Sequence, residues 1–218
     1  MDQKKFIGQC QWLNKWLIDN GYSNTAEIVL KAVALVLSGY NQPAVVFKYA
    51  AANYSLRELF KQQTDCCPIE ENKKYDDLPE SVFSLIERWI DCLSYDSAIL
   101  GTIYEQLSHG RRTQGMYYTP PEVIDYIVGH TVDNCDVINY PKLKILDPAC
   151  GCGFFLLKAY DVLRQKFTDV RVVLKNMYPD EDWSDWGIHK HIITYNLWGA
   201  DIDEIAADVT AVSLLLKY

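Results

Sequence analysis

Apolar residues in the first hundred positions recur every three or four residues, which is the spacing of one face of an α-helix. The clearest series is Phe6, Cys10, Leu13 and Leu17. Further series run from Ile28 to Leu37 and from Val82 to Leu93, and the last one ends at Leu107. This part of the chain therefore predicts a helical domain, which we place at residues 1–110.

The pattern changes after residue 111, where short β-type runs alternate with helices. The first run, 143–146, ends in Asp147, and an apolar helical segment follows it at 154–163. The second run, 197–202, is followed by another at 205–216. Strand, glycine-rich turn, helix, strand and helix is how a parallel α/β sheet begins. Residues 111–218 are therefore predicted to form the first part of a doubly wound sheet, in the α/β fold class.

The composition is that of a folded chain with an acidic balance. Apolar residues make up 49% of the sequence, which argues against disorder. The 21 basic residues are outnumbered by 29 acidic ones, for a formal net charge of -8, and the deficit is the same in both halves. A module that binds nucleic acid by bulk electrostatics needs clustered Lys and Arg, so this class is excluded.

Membrane, disulfide and metal classes are also disfavoured. No apolar run approaches the roughly 18–20 residues that span a bilayer, and the start lacks the apolar segment of a signal peptide. The seven cysteines include no Cys-x-x-Cys pair, and His189 and His191 lack a third ligand at metal-binding spacing. We expect no membrane association, no metal, and reduced thiols in a cytoplasmic protein.

The strongest chemical motif is the turn after the first predicted strand, Asp147-Pro148-Ala149-Cys150-Gly151-Cys152-Gly153. Its glycines let the backbone turn sharply and approach a ligand at the strand end, where the next helix presents free N–H groups. Asp147 suits a cationic or hydroxyl-bearing ligand and opposes a phosphate. The alternative interpretation is a tight turn that binds no ligand.

The end of the second predicted strand carries another motif, Gly199-Ala200-Asp201-Ile202-Asp203. An acid at this point of a dinucleotide-type fold can accept hydrogen bonds from ribose hydroxyls, which is the role that we predict for Asp201. Asp203 is placed instead to cap the following helix. Ile202 would pack on an adenine ring, with burial in the strand as the alternative.

A third motif, Gly115-Met116-Tyr117-Tyr118-Thr119-Pro120-Pro121-Glu122, precedes a predicted helix that runs to about Val132. We predict a capping box in which Thr119 is the N-cap, Pro120 the first helical residue and Glu122 the third. The start of such a helix can also hold a carboxylate, because its N–H groups carry a partial positive charge.

In this order, the three motifs resemble those of the adenine-N6 DNA methyltransferases. The likeness is to the modification subunits of type I restriction systems and to related fused type II restriction-modification enzymes, and it covers about residues 96–218. It implies a Rossmann-like S-adenosylmethionine-dependent methyltransferase domain behind the helical domain. It also implies DNA as substrate, with the target adenine flipped out of the duplex, and a role in a restriction-modification system.

The resemblance further implies which residues bind the cofactor. Thr119 would bind the methionine carboxylate, and Asp147 would face the methionine amino group. Asp201 would hold the ribose hydroxyls and Ile202 the adenine. The complete predicted set is Tyr117, Tyr118, Thr119, Asp147, Pro148, Ala149, Gly151, Gly153, Asp201 and Ile202.

The sequence departs from the family pattern in two places and lacks one motif. Cys152 stands where the family usually has serine or another small residue, and the interval from Gly153 to Asp201 implies an insertion around residues 168–190. The family's Asn/Asp/Ser-Pro-Pro-Tyr/Phe loop is missing, since the only Pro-Pro is Pro120-Pro121. The catalytic residues are therefore unknown, and this chain alone is not expected to methylate DNA.

Because this loop is missing, the expected binding partners and two alternative functions follow from the resemblance. The expected partners are DNA and either a specificity subunit or a missing C-terminal catalytic portion. One alternative is a truncated or split subunit that binds the cofactor or a partner chain. Another is a methyltransferase of the same fold that acts on protein glutamine N5 or on RNA. The helical domain and the Gly-x-Tyr-Tyr-Thr-Pro segment favour DNA modification.

Overall fold

The computed structural model describes residues 2–39, 56, 78–89, 96–108 and 119–218. The chain divides into two compact units, Met1–Gln114 and Gly115–Tyr218. The domain boundary predicted at residue 110 lies outside the described residues. Within the described ranges, no helix is long and apolar enough to cross a membrane.

The described part of the first unit is helical. Its helices are α1 (Gln3–Asp19), α2 (Thr25–Leu37), α3 (Glu80–Glu87) and α4 (Ile99–Leu107). The apolar face predicted for α1 is buried, which confirms that prediction. Phe6 on this face meets Trp89 edge to face with ring centroids 5.3 Å apart, and the Trp89 indole donates to Gln9 Oε1 at 2.9 Å. The spacing of apolar residues was therefore sufficient to identify the face of α1 that packs into the core.

The second unit is mostly helical and contains a small parallel sheet. In chain order its elements are α5 (Pro121–Thr131), a 3₁₀ turn (Val132–Asn134), β1 (Ile145–Asp147), α6 (Phe154–Asp169), α7 (Arg171–Met177), α8 (Asp185–His191), a π-helical turn (Ile192–Asn196), β2 (Leu197–Gly199) and α9 (Glu204–Leu215). The predicted order of strand, glycine-rich turn, helix, strand and helix is present.

The two strands pair in parallel, and their two faces differ. The facing pairs are Ile145 with Leu197, Leu146 with Trp198, and Asp147 with Gly199. Ile145 and Leu197 pack with the apolar core of the unit. Because alternate side chains point to opposite faces of a sheet, Leu146 and Trp198 point away from that core, and they are 65% and 49% exposed.

Both strands are shorter than predicted, and side chains bond to the backbone near their ends. Before β1, the Asn196 amide donates to the carbonyls of Pro141 and Leu143, both at 2.8 Å. After β2, the Asp201 carboxylate accepts from the Asp203 N–H at 2.9 Å and turns the chain towards α9. Residues 143–144 and 200–202 lie outside the strands.

The insertion inferred around residues 168–190 is folded into the core. Helix α6 continues to Asp169, past its predicted end at residue 163, and α7 and α8 follow. Trp183 is buried, with its ring 5.8 Å from Phe167 and 5.0 Å from His191. Ser184 Oγ accepts from the Gly187 N–H at 3.0 Å and caps α8. Residues 178–184 form the loop that joins α7 and α8.

Candidate functional site

The turn between β1 and α6 depends on two glycines in the left-handed backbone region. Gly151 has a φ of 52° and Gly153 a φ of 83°, which strains any residue with a Cβ atom. The Gly153 N–H donates to the Cys150 carbonyl at 2.8 Å, and α6 begins at the next residue. The sharp turn predicted from the sequence is therefore present.

The two glycines face different surroundings. A Cβ atom on Gly153 would lie 2.6 Å from Cγ2 of Thr210, so Gly153 permits close packing against α9. A Cβ atom on Gly151 would meet no atom within 4 Å. Pro148 and Ala149, earlier in the turn, are exposed. Gly151 thus borders open space that a ligand can fill.

Asp201 joins the ends of the two strands. Its Oδ2 accepts a hydrogen bond from the Gly151 N–H at 2.7 Å, and its Oδ1 accepts one from the Asp203 N–H. The backbone between them is tied as well, because the Cys150 N–H donates to the Ala200 carbonyl at 2.9 Å. The structure therefore brings together two motifs that lie 50 residues apart in the sequence.

The strand ends carry two carboxylates. Asp147 Oδ1 accepts from the Ala149 N–H at 3.2 Å. Burial raises the pKa of the Cys150 thiol, and the negative charges of Asp147 and Asp201 raise it further. Among the described residues, neither carboxylate forms an ion pair. This uncompensated negative charge favours a cationic or hydroxyl-bearing ligand.

The two residues after Asp201 differ in their roles and in their exposure. Asp203 Oδ1 accepts from the Ala206 N–H at 3.1 Å and caps α9, as predicted. Ile202 is 98% exposed, so the alternative of a buried strand residue is wrong. An exposed apolar side chain beside a carboxylate can pack on a flat ring of a ligand.

The start of α5 lies at the same end of the unit as the glycine-rich turn. Lys158 of α6 pairs with Asp125 of α5 at 2.7 Å, and Lys166 of α6 lies 4.0 Å from Asp133, which follows α5. Both pairs join residues 33 positions apart, so the two helices lie side by side and run in the same direction. The same offset places the start of α5 level with the start of α6.

The capping box predicted at Thr119 is wrong. Helix α5 begins at Pro121, one residue later than predicted, and no side chain caps it. Pro120 is extended, with a ψ of 142°, because a residue before proline is disfavoured in the helical conformation. Thr119 is half-buried and immediately precedes this segment. Tyr117 and Tyr118, also predicted to bind cofactor, lie outside the described residues.

A separate pocket of about 520 Å³ lies near the amino ends of the strands. Its lining residues are Asn139, Tyr140, Pro141, Lys142, Leu143, Tyr178, Glu181, Trp183 and His191. Lys142 and Glu181 form an ion pair of 2.8 Å there. No sequence motif indicates this pocket, because its lining residues come from three separate segments of the chain.

The two histidines of α8 belong to the core of this unit. His189 Nδ1 lies 2.7 Å from Tyr160 Oη, and burial lowers the pKa of His189 to about 4. Burial also lowers the pKa of His191, whose Nε2 donates to the Pro141 carbonyl at 2.9 Å. In the ranges that the structure describes, no group of three or more His, Cys, Asp or Glu could hold a metal ion.

Comparison with known proteins gives one family and three relatives. The putative type II restriction enzyme and methyltransferase of Methanocaldococcus jannaschii is 28% identical over 164 residues, which cover 54% of this chain and 14% of the relative. The adenine-specific methyltransferase BrxX of Escherichia coli O9:H4 is 34% identical over 75 residues, 34% of this chain and 5% of the relative. The adenine-specific methyltransferase PglX of Streptomyces coelicolor is 33% identical over 85 residues, which cover 35% of this chain and 7% of the relative.

The chain thus spans at most 14% of the length of these relatives. The family described as N-6 DNA Methylase matches residues 95–217, which is more than half of the chain. By this match, the chain belongs to the N-6 DNA methylase family.

Proposed function

We propose that the carboxyl ends of β1 and β2 bind S-adenosylmethionine, and that the whole protein transfers its methyl group to adenine N6 in DNA within a restriction-modification system. The family uses S-adenosylmethionine as methyl donor. The observation that carries the proposal is the 2.7 Å hydrogen bond from the Gly151 N–H to Asp201, which unites the two predicted cofactor motifs at one sheet edge.

The chemistry of the strand ends fits this cofactor. S-adenosylmethionine carries an ammonium and a sulfonium, and the carboxylates of Asp147 and Asp201 have no cationic partner among the described residues. A Cβ atom on Gly151 would project into open space, so the backbone of the turn is accessible to a ligand at this position. When bound, the cofactor supplies a methyl group that its positive sulfur makes electrophilic.

Asp201 has the hydrogen-bonding capacity that the ribose requires. A carboxylate offers about four lone-pair positions, and the Gly151 and Asp203 N–H groups use two of them. We infer that the remaining two accept hydrogen bonds from the two ribose hydroxyls. Ile202, exposed next to Asp201, would then pack on the adenine ring.

The methionine end would lie over the turn and the start of α5. Asp147 would accept hydrogen bonds from the ammonium, with Pro148, Ala149 and the two glycines lining the site. Pro120 and Pro121 have no N–H, and the N–H groups of Val123 and Ile124 bond to the Pro120 carbonyl. The start of α5 would therefore attract the methionine carboxylate through the helix dipole rather than through those groups. Thr119 precedes that helix start, and we assign the carboxylate to it, with Tyr117 and Tyr118 nearby.

The larger architecture belongs to the same proposal. We infer that β1, β2 and the helices around them are part of a Rossmann-like methyltransferase sheet. DNA with its target adenine flipped out of the duplex would be the substrate. A specificity subunit or a further catalytic portion would supply recognition and the group that holds the adenine amino group, for which this chain offers no Pro-Pro-Tyr motif.

Calorimetry with S-adenosylmethionine tests the cofactor site. We expect the chain to bind one equivalent and Asp201→Ala to weaken binding by at least about tenfold, because that variant loses ribose contacts and the tie to Gly151. Asp169→Ala is the matched control, since Asp169 is an exposed carboxylate at the end of α6 that accepts a hydrogen bond from the Gln165 amide. Undiminished affinity in Asp201→Ala, or no binding by the folded chain, would contradict the proposal.

A further inference from the structure

We propose that Thr210 of α9 is a positioning residue that holds the glycine-rich turn in the conformation that receives the cofactor. The proposal rests on the cofactor site proposed above. It concerns a residue outside both sequence motifs, since Thr210 lies on the helix behind the turn.

One side chain contacts both glycines of the turn. The Thr210 hydroxyl donates to the Gly151 carbonyl at 2.8 Å. Its methyl group lies so close to Gly153 that a Cβ atom there would be 2.6 Å away. Thr210 is itself buried, with 4% of its surface exposed, so both contacts are made from a fixed position in the core.

The hydroxyl serves the turn rather than its own helix. A threonine within a helix commonly donates to the carbonyl three or four residues earlier. Thr210 reaches instead across 59 positions of the sequence to Gly151. The Thr210 hydroxyl is therefore directed to the turn, where it also forms a hydrogen bond with the Cys150 thiol.

Gly151 is consequently held from two sides. Asp201 at the end of β2 accepts from its N–H, and Thr210 of α9 donates to its carbonyl. The N–H and the carbonyl of Gly151, whose φ is 52°, are thereby oriented before any ligand binds. A site ordered in advance binds more tightly, because the ligand does not have to order it.

This arrangement predicts different effects for two substitutions at one position. Thr210→Val keeps the shape of the side chain and removes the donor, so we expect affinity for S-adenosylmethionine to fall about three- to tenfold, the range of one hydrogen bond. Thr210→Ser keeps the donor, so its affinity should stay within about twofold of the unmodified chain. Recovery by serine identifies the hydrogen bond as the cause.

The test combines calorimetry with amide hydrogen exchange over residues 148–157. We expect faster exchange in this segment for Thr210→Val and unchanged exchange for Thr210→Ser. Thr168→Val is the matched control, because the Thr168 hydroxyl donates to the Arg164 carbonyl within α6 and touches no residue of the turn in the contacts observed. The control should change neither affinity nor exchange in this segment.

The two readouts separate this inference from the cofactor proposal. If the unmodified chain binds no S-adenosylmethionine, the cofactor proposal fails, and hydrogen exchange still decides whether Thr210 orders the turn. Unchanged exchange and affinity in Thr210→Val would overturn the inference. If Thr210→Val does not fold, a loss of affinity in folded Thr210→Ser beyond threefold would overturn it, since the donor is retained there.

Discussion

Gly151 and Gly153 share a left-handed backbone, but only Gly153 is closely packed. For Gly151→Ala, the backbone conformation should cost about 1–2 kcal/mol of unfolding free energy, since a Cβ atom there meets nothing. For Gly153→Ala, the contact with Thr210 adds an overpacking penalty of about 1–3 kcal/mol. Urea denaturation of the two variants measures the difference. Equal losses in both variants would contradict this assignment.

His189 makes the second unit sensitive to acid. Burial holds the pKa of His189 at about 4, below its ordinary 6.5, so the unfolded chain takes up the proton first as the pH falls. The stability associated with neutral His189 is complete above about pH 6.5 and is lost towards pH 4, by up to roughly 3 kcal/mol.

Denaturant titrations between pH 7 and pH 4 measure this dependence. We expect His189→Asn to flatten it, because the asparagine amide can bond to Tyr160 Oη without titrating in this range. His130→Asn, at an exposed histidine of α5, should retain the slope of the unmodified chain. A slope that survives in His189→Asn would show that other groups cause it.

At the scale of elements, the sequence correctly predicted features that depend on residues close together in the chain. Helix α1 followed its apolar spacing, and Asp203 caps α9 because its bond to Ala206 spans three residues. Predictions failed where distant residues intervene. The start of β1 depends on Asn196, whose amide bonds to the Leu143 carbonyl 53 residues away and has no signal in the sequence around β1. The capping box at Thr119 failed for a local reason, the restriction that Pro121 imposes on Pro120.

The exposed face of the sheet makes self-association an expected property of the chain. Leu146 and Trp198 lie opposite each other on this face, and in the described residues each strand has one paired edge. Unpaired edges and apolar faces promote association between chains. We expect sedimentation analysis of the unmodified chain to show concentration-dependent association.

Substitution of both side chains should reduce that association. The double variant Leu146→Thr with Trp198→Thr keeps residues that suit a strand while removing the apolar face. Val172→Thr is the control, because Val172 is 74% exposed on α7, which is not part of the sheet. A monomeric unmodified chain, or equal association in the double variant, would contradict this prediction.

At the scale of the whole molecule, the charge and the motifs indicate that cofactor binding and adenine binding belong to different parts of the protein. The net charge of -8 disfavours tight DNA binding by bulk electrostatics, and the sequence lacks the Pro-Pro-Tyr loop that would hold adenine. The described part of the second unit instead concentrates its chemistry at the carboxyl ends of β1 and β2. We therefore expect this chain to bind the cofactor and other parts of the complete protein to recognise adenine.

Amide NMR spectra of the chain, recorded during titration with S-adenosylmethionine, test this assignment most directly. We predict that the largest chemical shift changes fall on Gly151, Gly153, Asp201 and Ile202 and on the start of α5. Residues around the pocket that contains Trp183 should remain unchanged. Absence of any change, or changes confined to that pocket, would contradict the assignment of the strand ends as the cofactor site.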